Sequence, residues 1–231
     1  MAERLAVIPA RGGSKRVPRK NIREFHGKPM MLHVLESARK SGLFDEIHVS
    51  TDDEEVSGVA ADSGFPPAFA RPAQLADDIT PVLSVVRYVL ETYQTRGRLF
   101  GTVAVLMATS ALIDFNDLQQ ACSLFESGDR NLSLVSVGKY PAPIEWAYRL
   151  AADGRLSALV PDALVVPSRD LDDAYYDAGC FEFHNSATLL NNSRIAYRAF
   201  VLPFWKATDI DNIEDWERAE FLFKRIRQYS G

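Results

Sequence analysis

After its first residue, the run RLAVIPA at positions 4–10 is apolar without a break and reaches a proline. A half-exposed strand alternates polar and apolar residues, so this run predicts a strand buried on both faces, with a layer of structure above and below it. EIHVSTD (46–52) and TVAVLMAT (102–109) predict two more strands, and helical patterns lie between them. MMLHVLESARKSG (30–42) carries apolar residues at 31, 34, 35 and 38 and ends in Lys-Ser-Gly, where glycine closes a helix. EEVSGVAADSG (54–64) predicts a short helix. Thr80-Pro81 predicts an N-cap and first helical position for VLSVVRYVLETYQTRG, and Asn116 the cap of DLQQACSLFESG. The alternation implies an α/β fold with a mostly parallel sheet and helices on both faces.

Beyond about residue 132 the rhythm changes. SLVSVGKY, WAYRL, an Asp-Gly turn at 153–154 and YYDAGCFEF are strand-like pieces without long helices between them. They predict a β-rich arm at about 138–180 within one domain spanning 1–231. A strand (AYRAFVLPF, 196–204) and a last helix follow; in that helix Ile213, Trp216, Ala219, Leu222, Phe223 and Ile226 share one face. Apolar residues at 47% and charged residues at 25% suit a globular chain with a full core. A net charge of −5 argues against a general nucleic-acid or membrane-surface binder. Without a leader-type segment or a span-length apolar run, and with Cys122 and Cys180 in no metal-type spacing, a cytoplasmic location is expected.

Against that acidic background, AVIPARGGSKRVPRKN (6–21) places five Arg or Lys residues and two glycines directly behind the first strand. Glycines let backbone N–H groups approach an anion, Gly13 among them, and Arg11 or Lys15 can supply charge. The spacing is neither that of the ATPase loop nor that of the dinucleotide fingerprint. A solvated basic turn is the plain alternative, but the loop leaves the C-terminal end of a strand, where open α/β sheets bind ligands. Near the other end of the chain, Asp209-Ile210-Asp211 follows a strand; residues i and i+2 of extended chain point the same way, so both carboxylates can face one cation. The alternative is that Asp211 caps the last helix.

The sequence R-G-G-S-K-x-x-P-x-K-N resembles the opening motif of the cytidylyltransferases that activate nonulosonic acids. That resemblance implies a Rossmann-like nucleotidyltransferase fold and an enzyme that transfers CMP from CTP to a nine-carbon sugar acid. It implies that Arg11, Ser14, Lys15, Lys20 and Asn21 surround CTP, with Asn21 near the nucleoside, and that Asp209 and Asp211 hold Mg²⁺. Lys15, Arg11 and the two aspartates are thereby the expected catalytic set. ARPAQLADDIT (70–80) is similar to the family's R-P-x-x-L-A-x-D segment, which adds Arg71 and Thr80 to the nucleotide side. STDD (50–53) sits where the family has S-T-D, which puts Asp52 at the edge of the site; its alternative is a helix cap.

On the acceptor side, MATSALI (107–113) stands where sialic-acid enzymes show Q-P-T-S-P-L-R, so Met107 replaces a sugar-contacting glutamine while Thr109 and Ser110 are kept. Loss of an amide from a polar sugar pocket leaves hydroxyls unpaired at ~1–3 kcal/mol each, so methionine suits a less polar sugar. Arg16, where sialic-acid enzymes have glycine, and SRDLDDAYYDAGCF (168–181) both resemble the pseudaminic acid branch, although Cys180 and Glu182 depart from it. The resemblance makes Tyr176, Asp177, Gly179 and Phe181 candidate sugar contacts and Arg169 a candidate for the sugar carboxylate; core packing is the alternative for the two aromatics. Lys139 is a weaker candidate, and the four histidines form no spaced cluster. The implied product serves surface glycan or flagellin glycosylation, and the implied assembly is a homodimer whose arm reaches the partner's site. Legionaminic, N-acetylneuraminic and Kdo-type acids are the alternative acceptors, and a non-catalytic nucleotide-binding module is the alternative class.

Overall fold

The structure, a computed structural model, describes residues 3–191 and 194–229. Its elements in chain order begin with β1 (Arg4–Pro9), β2 (Glu24–Phe25), β3 (Lys28–Pro29), α1 (Met30–Ser41), β4 (Glu46–Ser50), α2 (Glu54–Asp62), α3 (Val82–Thr95) and β5 (Thr102–Leu106). They continue with α4 (Phe115–Glu126), β6 (Leu132–Lys139), β7 (Tyr148–Leu150), β8 (Leu156–Ala158), β9 (Tyr175–Asn185), α5 (Ser186–Leu190), β10 (Ala196–Leu202) and α6 (Ile213–Tyr229).

Six strands form one sheet in the order β10-β6-β9-β5-β1-β4. β1 pairs in parallel with β4 and β5, and β10 in parallel with β6. β9 alone runs antiparallel to both its neighbours, β5 and β6. As the unbroken apolar run of β1 requires, its residues feed two cores. Ala6 and Ile8 meet α1, α2 and α4 on one face, while Leu5 and Val7 meet α3 on the other. Gly42, at φ 64°, closes α1 in the left-handed conformation that glycine adopts freely.

A third apolar cluster builds the site. Val17 from the loop behind β1, Ala111 and Leu112 from the segment after β5, and Ile210 pack with Trp216, Ala219 and Phe223 of α6. Ile213, expected on that buried face, is exposed at the start of the helix.

Two caps differ from expectation. The Thr80 N–H is taken by Asp77 Oδ1 (2.6 Å), so Thr80 belongs to the turn of Asp77; Pro81 precedes α3 without a side-chain cap. Asp114 rather than Asn116 caps α4, in a reciprocal box with Asp117. The arm also ends earlier than the pattern suggested. β9 is a full member of the central sheet, and the outlying segment is 140–174, whose only strands, β7 and β8, pair with each other. No helix among the described residues is long and apolar enough to cross a membrane.

Candidate active site

Four loops, behind β1, ahead of α3, behind β5 and ahead of α6, meet in one cleft. Arg11, Ser14, Lys15, Lys20 and Asn21 line it from the loop behind β1, and Arg71 and Thr80 from the loop ahead of α3. Met107 and Thr109 line it at the end of β5, and Asp209 and Asp211 close it from the opposite side. Eleven residues singled out from sequence, drawn from both ends of the chain, therefore share one wall system, and Lys20 Nζ meets the Ile210 carbonyl 190 positions away.

The Asp-Ile-Asp segment shows why its carboxylates are available. Ile210 is 1% exposed in the α6 cluster, so extended backbone turns both neighbours the other way. Asp211 is not the helix cap: Asn212 Oδ1 accepts from the Asp215 N–H (3.0 Å), and Asp215 Oδ2 accepts in return from the Asn212 N–H (3.1 Å). Desolvation, and then the charge of Asp211, push the Asp209 carboxyl above its ordinary value. Two carboxylates that repel one another in a cleft call for a cation. Arg16 Nη2 lies 2.9 Å and Lys20 Nζ 3.5 Å from Asp211. No group of three or more metal-type side chains occurs among the described residues, so the donor set is a carboxylate pair. That set fits a hard cation completing its shell with water and phosphate oxygens.

The cationic wall is of two kinds. Arg11 Nη1 bonds Asp78 Oδ1 (2.6 Å) and the Asp77 carbonyl (2.9 Å), and Lys15 also pairs with Asp78. Those hydrogen bonds, from Lys15 first and Arg11 second, hold the Asp78 carboxyl below the usual range. Arg71 is different: it is only 6% exposed and its guanidinium bonds Ser50 Oγ (3.1 Å) and the Ser50 carbonyl (2.5 Å). Burial lowers its pKa first; the charge of Asp52 opposes that shift, the charge of Arg11 adds to it, and no carboxylate forms an ion pair with Arg71 among the described residues. A buried guanidinium with no carboxylate bonded to it, facing a cleft, is suited to receive an anion.

Asn21 also braces its own loop, and the remaining candidates do not line the cleft. Asn21 Nδ2 donates to the Arg11 carbonyl (2.8 Å), which clasps the loop shut. Around Gly13 the space is open. Ser110 is buried with its hydroxyl on the Cys180 carbonyl (3.0 Å). The Tyr176 hydroxyl bonds the Ala207 carbonyl (3.2 Å) and its ring lies against Gly138, where a Cβ would sit 2.4 Å from the ring. Phe181 is in the core, and the Asp177 carboxylate accepts from the Gly179 N–H (2.9 Å). Gly179, at φ 61°, abuts the Asp209 side chain. Arg169 stands on the outlying segment, and Lys139 is paired with Asp173 at its base (2.6 Å). Asp52 borders a separate hollow with Asp53 and Phe69. Cys122 and Cys180 are buried free thiols, with burial pushing the latter up to about 12.

Sequence reasoning missed Asp77 and Asp78 as wall residues, and it missed Lys206. The Lys206 ammonium bridges Asp114 (2.8 Å) and Asp117 (2.6 Å), fastening the segment before Asp209 to the start of α4.

A cation-lined cleft facing a carboxylate pair at the end of a mostly parallel sheet suits a polyphosphate substrate with a divalent ion. Residues 5–178 match the family model described as Cytidylyltransferase. The chain belongs to the cytidylyltransferase family. It is 37% identical over 223 residues to pseudaminic acid cytidylyltransferase of Campylobacter jejuni, covering 95% of this chain and 96% of the relative. It is 34% identical over 152 residues to CMP-N,N'-diacetyllegionaminic acid synthase of Legionella pneumophila, covering 66% of this chain and 65% of that one. A solved structure of CMP:2-keto-3-deoxy-manno-octonic acid synthetase complexed with CTP superposes with a TM-score of 0.70 over 97% of this chain and 99% of that chain, at 16% identity. That likeness shows a shared fold. This cytidylyltransferase thus has the mostly parallel α/β sheet expected from its strand pattern and the nucleotidyltransferase architecture that the family resemblance implies.

Proposed function

We propose that this cytidylyltransferase transfers CMP from CTP to pseudaminic acid and releases pyrophosphate. The observation that carries the reading is a single cleft holding Arg11, Lys15 and the buried Arg71 on one side and Asp209 with Asp211 on the other. The anomeric hydroxyl of the sugar attacks the α-phosphorus of CTP; the new C–O–P link forms as the α,β-phosphoanhydride bond breaks and the hydroxyl gives up its proton. Arg11 and Lys15 exchange Asp78 for phosphate oxygens and neutralise charge that grows on pyrophosphate. Arg71, already desolvated, orients an anionic group of the substrate without further cost in burial. Asp209 and Asp211 hold Mg²⁺, which when bound neutralises phosphate charge and supplies Lewis acidity.

Met107 supports the choice of sugar. It lines the cleft beside Thr109, and a thioether there donates no hydrogen bond and accepts only weakly from a sugar hydroxyl. Pseudaminic acid, with methyl and acetamido groups in place of sialic-acid hydroxyls, suits that wall, and the 37% identity to a pseudaminic acid enzyme points the same way. We further propose a homodimer. The 140–174 segment carries exposed Leu150, Leu156, Leu159, Val160 and Val165, an apolar surface that a second copy would cover. Pyrophosphate release from CTP with a panel of pseudaminic, legionaminic, N-acetylneuraminic and Kdo-type acids tests the reading. Turnover is expected with Mg²⁺ and highest with pseudaminic acid. Preference for N-acetylneuraminate overturns the sugar assignment, and no release with any acid overturns the enzyme.

A further inference from the structure

The stretch that carries Ser14, Lys15 and Arg16 has neither strand nor helix to hold it, yet both its ends touch one carboxylate. At one end, a Cβ added to Gly12 would lie 2.1 Å from Asp53 Oδ2, so the loop backbone presses directly on that side chain. At the other end, Arg19 grips the same carboxylate with both nitrogens of its fork, Nη1 to Oδ2 at 2.6 Å and Nη2 to Oδ1 at 3.1 Å, and Nη2 also meets Glu55. Arg19 does this from φ 56°, a left-handed backbone that a residue with a side chain adopts only when its surroundings impose it. Asp53 is itself immobilised, because Oδ1 accepts the Val56 N–H (2.9 Å) and caps α2. The hydrogen bonds from Arg19 hold its carboxyl below the usual range.

We propose that Asp53 and Arg19 are positioning residues that clamp the loop from Gly12 to Arg19 into its triphosphate-binding shape before CTP arrives. Neither lines the cleft, so they act through the loop and touch no substrate. A loop fixed in advance loses no ordering entropy when the nucleotide binds. The inference rests on the CTP reading of the cleft and concerns how its basic wall is held.

Two readouts test it. Without nucleotide, hydrogen exchange at the amides of residues 13–16 should quicken by about tenfold or more in Arg19→Ala. With nucleotide, calorimetric Kd and KM for CTP should rise about tenfold, while kcat and the sugar KM stay within about twofold and Tm is unchanged. Arg19→Lys keeps the charge but not the two-point grip and should fall between. Asp53→Asn keeps an oxygen for the α2 cap and should weaken CTP like Arg19→Ala, with the double variant no worse than either single one. Unchanged exchange in Arg19→Ala overturns the clamp. Tighter CTP binding in Asp53→Asn also overturns it, because Arg19 would then be a phosphate ligand that Asp53 restrains. A wild type that binds CTP but transfers it to no sugar acid sinks the transferase reading and leaves the exchange test of the clamp intact.

Discussion

The loop behind β1 and the 140–174 segment are both irregular, charged and outside the main sheet, yet the molecule treats them in opposite ways. The first is fastened at every few residues: Val17 in the α6 core, Arg19 on Asp53, Asn21 on the Arg11 carbonyl. The strands of the second pair only with each other, and Leu150 and Val165 are 73% and 87% exposed. A surface that could contribute ~25 cal/mol per Å² on burial is left to water there. The contrast teaches that the nucleotide half of the cleft is finished within one chain. In the proposed homodimer a second copy would complete the acceptor half, a reading that accounts for Arg169 standing on the outlying segment.

Variants can break or sharpen that contrast. The largest effect belongs to Asp211→Ala, which should lower kcat/KM for pyrophosphate release by at least ~10²-fold; near-wild-type activity would remove Asp211 from the mechanism. Next, Leu150→Asp with Leu156→Asp should yield monomers in sedimentation and raise KM for the sugar several-fold while the CTP Kd holds. Dimers that persist would show the arm to be no interface. The smallest effect is on stability. Because Asp209 titrates above its ordinary 3.8 in the fold, its protonated form is the favoured one, and that stability is lost as pH rises through the raised value. Mg²⁺ should offset the loss, so its effect on Tm should be greatest near neutral pH and fade as pH drops toward the raised value. A pH-independent rise in Tm would dissociate Asp209 from the metal.

Much of this was legible in the chain because the informative signals were local. The unbroken apolar run of β1, the glycines and cations behind it, and the i, i+2 aspartates each carry their meaning within a few residues. The direction of β9 was not legible, since hydropathy specifies that a strand is buried and says nothing of which way it runs. Nor were the partners of Arg19 and Lys206, which are 34 and 92 positions away and meet only when the sheet assembles. Tyr176 shows the opposite limit. Its motif points to the sugar, while its hydroxyl is engaged by the segment that leads to Asp209.

The central claim is that the cations behind β1 exist for the β- and γ-phosphates of CTP. Calorimetric titration of CTP and CMP into wild type and Lys15→Ala, with Mg²⁺ present, tests it most directly. CTP should bind wild type at least ~10²-fold more tightly than CMP, and Lys15→Ala should collapse most of that ratio. Equal affinity for the two nucleotides in wild type, or a ratio that survives in Lys15→Ala, would contradict the account.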